Sequence, residues 1–81
     1  MEIEIYTKSN CIFCERAKQL LDSKNIAYEE YEVIPDSEPA HAYSVTRDQV
    51  LKLFPSAKTL PQISINGAAI GGFSELESFF D

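Results

Sequence analysis

The sequence predicts one α/β domain, a four-stranded mixed sheet flanked by three helices, and three observations carry that expectation. Strand-patterned and helix-patterned segments alternate through the first half of the chain. Later, Asn66-Gly67 marks a tight hairpin, because a type I′ turn needs positive φ at both positions. Two helix starts carry capping-box spacing, Thr46 with Gln49 and Ser74 with Glu77. With 81 residues the chain has room for a single domain spanning residues 1–81.

Glu2 to Tyr6 alternates, with Ile3 and Ile5 on one face, as a half-buried strand does. Thr7 to Asn10 is a short polar loop in which Ser9 or Asn10 serves as N-cap. The first helix, Glu15 to Lys24, buries Cys14, Ala17 and Leu21 on one face with Phe13 and Leu20 beside it. Lys24-Asn25 ends it, since asparagine tolerates the left-handed C-terminal position. Ala27 to Val33 is the second strand, and a helical connection makes the first two strands parallel.

Pro35 to Ala42 is a loop, and His41 within it is an exposed residue without a role. Thr46 caps a second helix that runs through Val50, Leu51 and Phe54 and stops at Pro55, with Val45 and Val50 as its hydrophobic staple. Gln62 to Ile65 and Ala68 to Ile70 are the hairpin strands, and Gly71-Gly72 leads to a last helix from Ser74 to Phe80. No repeat, low-complexity segment or second domain interrupts this order.

The chemistry concentrates in Cys11-Ile12-Phe13-Cys14, which holds both cysteines of the chain. It lies where a strand turns into a helix. Two intervening residues place the thiols on one side, close enough to form a disulfide and reopen it. The first thiol sits at a helix N-terminus, where unpaired N–H groups and the dipole favour an anion. Its pKa is thereby lowered, and the thiolate is the nucleophile. Three plainer readings compete. A structural disulfide would close too short a loop to stabilise much. A zinc site wants four ligands, and beyond these thiols only His41 and carboxylates are on offer. Two inert buried thiols fit the strand–loop–helix context poorly. A redox pair is the favoured reading.

Composition bounds the partners. The net charge is −6, which argues against nucleic acid or an anionic membrane as a partner. Hydrophobic residues make up 44% and charged residues 25%, as in ordinary globular chains. No run is apolar enough to span a bilayer, and the N-terminus is not signal-like, so a cytoplasmic location is expected. In a reducing compartment a close cysteine pair is more often catalytic than structural.

The chain resembles the glutaredoxins. Ile5-Tyr6-Thr7-Lys8 leads into the cysteine pair, Arg16-Ala17-Lys18 and Leu20-Leu21 continue it, Thr59-Leu60-Pro61-Gln62-Ile63 looks like the family's Thr-Val-Pro segment, and Ile70-Gly71-Gly72-Phe73 looks like its Gly-Gly segment. Ile34 to Thr46 matches weakly. The resemblance implies a thioredoxin-like fold and a glutathione-dependent thiol–disulfide oxidoreductase acting as a monomer, with Cys11 as nucleophile and Cys14 as resolving thiol. It implies no metal and no tightly bound cofactor, with glutathione as reductant.

The resemblance also assigns the glutathione contacts. Pro61 would be cis and face the cysteines, leaving the Leu60 backbone to pair with glutathione as an added strand would. Thr59 belongs to the same segment. Gly72, Phe73 and Ser74 would hold the γ-glutamyl end, Lys8 would attract the glycyl carboxylate and stabilise the Cys11 thiolate, and Arg47 would bind a further carboxylate. Phe13 supplies an aromatic surface. The plainer readings are a strand-entry proline for Pro61, a helix cap for Ser74 and a solvated lysine for Lys8. Ile12 departs from the family, which commonly has proline there followed by tyrosine. This bears on the redox potential and on binding of a 2Fe–2S cluster. Two alternatives follow: a redoxin fed by thioredoxin reductase and serving ribonucleotide reductase, and a non-enzymatic cluster carrier.

Overall fold

The computed structural model describes residues 1–81. In chain order the elements are β1 (Ile3–Thr7), α1 (Ile12–Ser23), β2 (Glu29–Ile34), β3 (Ser44–Thr46), α2 (Arg47–Leu53), β4 (Gln62–Ile65), β5 (Ala68–Gly71) and α3 (Phe73–Phe79). The strands form one mixed sheet in the order β3-β2-β1-β4-β5. β1 pairs with β2 in parallel, as the helical connection between them requires. It pairs with β4 antiparallel, setting Ile3 opposite Ile65 and Ile5 opposite Ile63.

The sheet has five strands, not the expected four. The extra strand is β3, which pairs in parallel with Glu32, Val33 and Ile34 at the sheet edge. Three residues are too few to show alternation, and Thr46 ends the strand and caps α2 at once. That capping box is present in full: Gln49 N–H donates to the Thr46 hydroxyl, and Thr46 N–H donates to the Gln49 side chain.

Two helix starts also differ from expectation. α1 begins at Ile12 with Cys11 itself as N-cap, so neither Ser9 nor Asn10 fills that place. Asn10 instead takes a left-handed φ of 57° to turn the chain. α3 begins at Phe73 behind Gly72, and its first-turn partner is Glu75, whose carboxylate accepts from Gly72 N–H at 2.7 Å. Ser74 therefore lies inside the first turn and does not form a capping box with Glu77. The other turn residues behave as their chemistry dictates: Asn25 has φ 56°, Asn66 φ 52° and Gly67 φ 84°.

Alternation along the strands divides the core between the two faces of the sheet. On one face Ile3, Ile5, Ile63 and Ile65 pack with Ala17 and Leu21 of α1 and Leu76 of α3. On the other, Tyr6 packs with Val50 and Phe54 at α2, with Val45 against them as the staple.

Candidate functional site

Cys11 sits at the N-cap of α1 with extended backbone, φ −119° and ψ 106°. Its sulfur accepts from Cys14 N–H at 3.2 Å, in the way that a hydroxyl or carboxylate oxygen caps other helices. The pair is oxidised here, as a Cys11–Cys14 disulfide with Cα atoms 5.2 Å apart. Burial separates the two sulfurs: Cys14 is fully enclosed, whereas Cys11 is partly exposed. An incoming sulfur therefore reaches Cys11 first.

Three segments distant in sequence meet at this cap. The Leu60–Pro61 peptide is cis. The Leu60 carbonyl lies 3.6 Å from the Cys11 sulfur. Gly72 packs against Pro61 so closely that a Cβ there would stand 3.2 Å from the Pro61 carbonyl. Phe73, next in the chain, sets its ring 6.0 Å from that of Phe13. Thus the cysteine pair, the proline segment and the Gly-Gly segment form one surface.

Beside Leu60 runs a groove of about 430 Å³ whose walls include Lys8, Arg47, Lys58 and Thr59. Val50 and Leu51 supply apolar wall. The groove therefore brings Lys8, Arg47, Thr59 and Leu60 together. Gly72 lies outside it, in a neighbouring groove that shares Lys58 and Thr59. Ser74 is exposed in the first turn of α3 and lines neither. At that helix start Gly72 N–H is already bonded to Glu75, leaving the N–H groups of Phe73 and Ser74 without intrahelical partners.

The sequence reading missed several participants. Lys58 directly precedes Thr59-Leu60-Pro61, and a cation in that position was the available signal. Glu75, three residues after Gly72, has capping-box spacing. Behind the cysteine loop, Thr7 hydroxyl donates to Glu30 at 2.7 Å and Lys18 Nζ donates to the same oxygen at 3.1 Å. Lys18 also pairs with Glu15 at 3.0 Å. Burial alone would raise the Glu30 pKa, but the Thr7 hydroxyl and Lys18 outweigh it and hold the carboxyl below its usual range. Burial likewise opposes the Lys18 charge, and the two carboxylates outweigh it, raising its pKa. Nearby, His41 pairs with Glu32 at 3.0 Å, so it tethers the loop of residues 35–43 to β2 and is more than an idle exposed residue.

The glutaredoxin family model matches residues 3–70. This chain belongs to the glutaredoxin family. Glutaredoxin 1 of Rickettsia bellii is 43% identical over 74 residues, which is 91% of this chain and 71% of that protein. Glutaredoxin 3 of Escherichia coli is 36% identical over 91% of this chain and 80% of its own length. Among solved structures, glutaredoxin 1 of Francisella tularensis, crystallised with cacodylate, superposes with a TM-score of 0.73 at 30% identity, covering 99% of this chain and 92% of that one. The buckwheat glutaredoxin–glutathione complex superposes with a TM-score of 0.70 at 25% identity, over 96% of this chain and 66% of that one. This glutaredoxin is a thiol–disulfide oxidoreductase with a thioredoxin-like fold, and Cys11 and Cys14 form its dithiol motif.

Proposed function

We propose that this glutaredoxin draws its electrons from glutathione and reduces both protein disulfides and glutathione mixed disulfides. The observation that carries the reading is the position of the Cys11 sulfur. It is capped by Cys14 N–H and lies 3.6 Å from the carbonyl of Leu60, a residue that also lines the groove walled by Lys8 and Arg47. Glutathione is an extended tripeptide with a carboxylate at each end. Its cysteinyl unit pairs with the Leu60 backbone as an added strand does. Its glycyl carboxylate then meets Lys8 and Arg47, while the γ-glutamyl end meets the Phe73 and Ser74 N–H groups. Phe13, within the cysteine motif, and Phe73 set their rings 6.0 Å apart, and Thr59 borders the groove.

The chemistry proceeds by two exchanges. The Cys11 thiolate attacks a disulfide sulfur, forming a mixed disulfide and releasing the other sulfur as a thiolate. Cys14, or a glutathione thiolate, then displaces the second product from Cys11. Such chemistry belongs in a reducing compartment that contains glutathione, which is the cytoplasm.

The deciding experiment follows turnover of a small glutathione mixed disulfide, coupled either to glutathione reductase with glutathione or to thioredoxin reductase. Turnover with glutathione alone is expected. Equal or better turnover with thioredoxin reductase and no glutathione would overturn the reading. Lys8→Ala and Arg47→Ala are expected to raise the KM for the mixed disulfide several-fold with little change in kcat, because both contact the carboxylate and neither contacts the reacting sulfur.

A further inference from the structure

The helices leave part of one sheet face uncovered. Glu30 turns toward α1, so its neighbours Glu29 and Tyr31 turn toward the face on which α2 packs. Register sets Glu4 between Glu29 and Ser64 on that face, and Tyr6 beside Tyr31. The seven residues of α2 reach it at Tyr6, through Val50 and Phe54. From there a row of rings runs outward to the sheet edge. Tyr6 and Tyr31 stack at 5.4 Å, and Tyr31 and Tyr43 lie 6.1 Å apart. Tyr6 is buried, Tyr31 half-buried and Tyr43 56% exposed.

The two faces treat their carboxylates differently. On the α1 side Lys18 holds Glu15 and Glu30, and His41 holds Glu32. On the other face Glu4 and Glu29 stand directly opposite each other, and neither takes part in an ion pair. Like charges so placed oppose folding. The Ser64 hydroxyl donates to Glu4 at 3.2 Å, which steadies that carboxylate without neutralising it. The remaining cations lie elsewhere. Lys8, Arg47 and Lys58 wall the groove beside Leu60, and Arg16 and Lys24 lie over the rings of Phe13 and Phe80. Lys52, in the last turn of α2, pairs with neither carboxylate. Burial first, then Glu4 and Glu29, raise the Tyr31 pKa, and no cation opposes them.

We propose that Glu4, Glu29, Tyr31 and Tyr43 form a docking surface for an arginine-bearing segment of a partner protein. Charge complementarity selects the occupant. Two unpaired carboxylates beside two open rings fit a cation that is both forked and flat. A guanidinium bonds a carboxylate through two N–H groups and stacks on an aromatic ring, whereas an ammonium is a point charge without that plane. Its arrival also relieves the repulsion between Glu4 and Glu29. The net charge of −6 draws basic segments toward the molecule as a whole. The surface is separate from the cysteine motif and from the groove beside Leu60. Glu4 stands three residues before Thr7, roughly 10 Å from the strand end that leads to Cys11. A partner anchored there leaves the Cys11 sulfur open, and the proposal is independent of where the protein draws its electrons.

The test uses the full-length protein with its Cys11–Cys14 disulfide closed, and two capped peptides in which serine alternates with arginine or with citrulline. Backbone amide chemical shifts map the contact and give the dissociation constant. The arginine peptide is expected to move the amides of Glu4, Glu29, Tyr31 and Tyr43, and to be released near 1 M salt, where the screening length is about 3 Å. Citrulline keeps the shape without the charge and should bind about tenfold more weakly. Glu4→Gln combined with Glu29→Gln is expected to raise the dissociation constant about tenfold, and Tyr43→Leu about threefold. Glu77→Gln combined with Asp81→Asn removes the same charge elsewhere and should leave it unchanged. Equal effects of the two double variants would reduce the binding to net charge and overturn the proposal. So would equal binding of the two peptides, absence of the expected shifts, or shifts centred on Glu15, Glu30 and Glu32. Movement of the same four amides on raising the protein concentration alone would assign the face to a second copy, which also overturns it. Glu29→Gln should be at least as stable as wild type in urea unfolding. A marked loss of stability would show that this carboxylate serves the fold and not a partner.

Discussion

Cys11 caps its own helix, and the consequences run through a few atoms. A sulfur that accepts Cys14 N–H at 3.2 Å sits in the positive field of the first turn of α1. The bond strengthens as the sulfur gains charge, so the thiolate gains more than the thiol. The reduced Cys11 is therefore expected to ionise well below about 8.5, the ordinary value for a free thiol. The pH profile of iodoacetamide alkylation reads this directly, and an inflection at the ordinary value would refute it. Cys14 is fully buried and provides the capping N–H from its backbone, which serine also has. Cys11→Ser is expected to abolish activity. Cys14→Ser should retain turnover of glutathione mixed disulfides, because a second glutathione can resolve them. If Cys14→Ser proves inert and Cys11→Ser active, the roles are reversed.

At the scale of elements, the first turn of the site is held to the sheet by Thr7 on β1, Glu30 on β2 and Lys18 on α1. Register explains the meeting: Glu30 stands opposite Ile5, so its side chain points to the face that α1 covers. Because the folded Glu30 pKa is lowered, its contribution is present above the unfolded value of about 4.3 and is lost as pH falls through the folded value. The raised Lys18 pKa acts in the opposite sense, with its contribution present below about 10.4 and lost as pH rises through the folded value. Between these limits both contributions are in force. The melting-temperature gap between wild type and Glu30→Gln should therefore be wide at pH 6 and should narrow toward pH 3. A gap of the same width at both pH values would mean that the carboxylate charge contributes nothing. A second element-scale test lies in the turn before α3. Gly71 has φ 118°, and a Cβ there would meet Glu75 Oε1 at 2.7 Å. Gly71→Ala combines backbone strain with displacement of the carboxylate that caps Gly72, and a loss of about 1–3 kcal/mol is expected in urea unfolding. Stability within a few tenths of wild type would show that the turn rearranges freely.

Across the whole molecule, what the sequence disclosed followed the range of the physics involved. The Asn66-Gly67 turn, the Thr46 cap and the buried stripe of Cys14, Ala17 and Leu21 are each set within a few residues, the parallel β1–β2 pair follows from the helical connection between its strands, and the structure has each of them. β3 was missed because its pairing to β2 spans an irregular loop and leaves no local pattern. Glu30 and Lys18 drew no joint role from the sequence because only strand register brings them together. The convergence of Cys11, Pro61 and Gly72 came from the resemblance, and no local pattern alone would have placed them on one surface. That convergence depends on the core beneath it. Leu76 is fully buried and packs α3 onto the sheet and α1, so it supports the wall that carries Gly72 and Phe73. Leu76→Ala should cost about 2–5 kcal/mol in urea unfolding of the reduced protein. Leu53, 54% exposed on α2, is the control, and its alanine variant should lie within about 0.5 kcal/mol of wild type. The cap on Cys11 is local to α1, so the alkylation rate of folded Leu76→Ala should stay near that of wild type. Turnover of the glutathione mixed disulfide should fall more, because the α3 wall has lost its anchor. Equal loss of alkylation and turnover in a folded variant would show that the cap and the wall are not independent, and that Leu76 supports the site as a single unit.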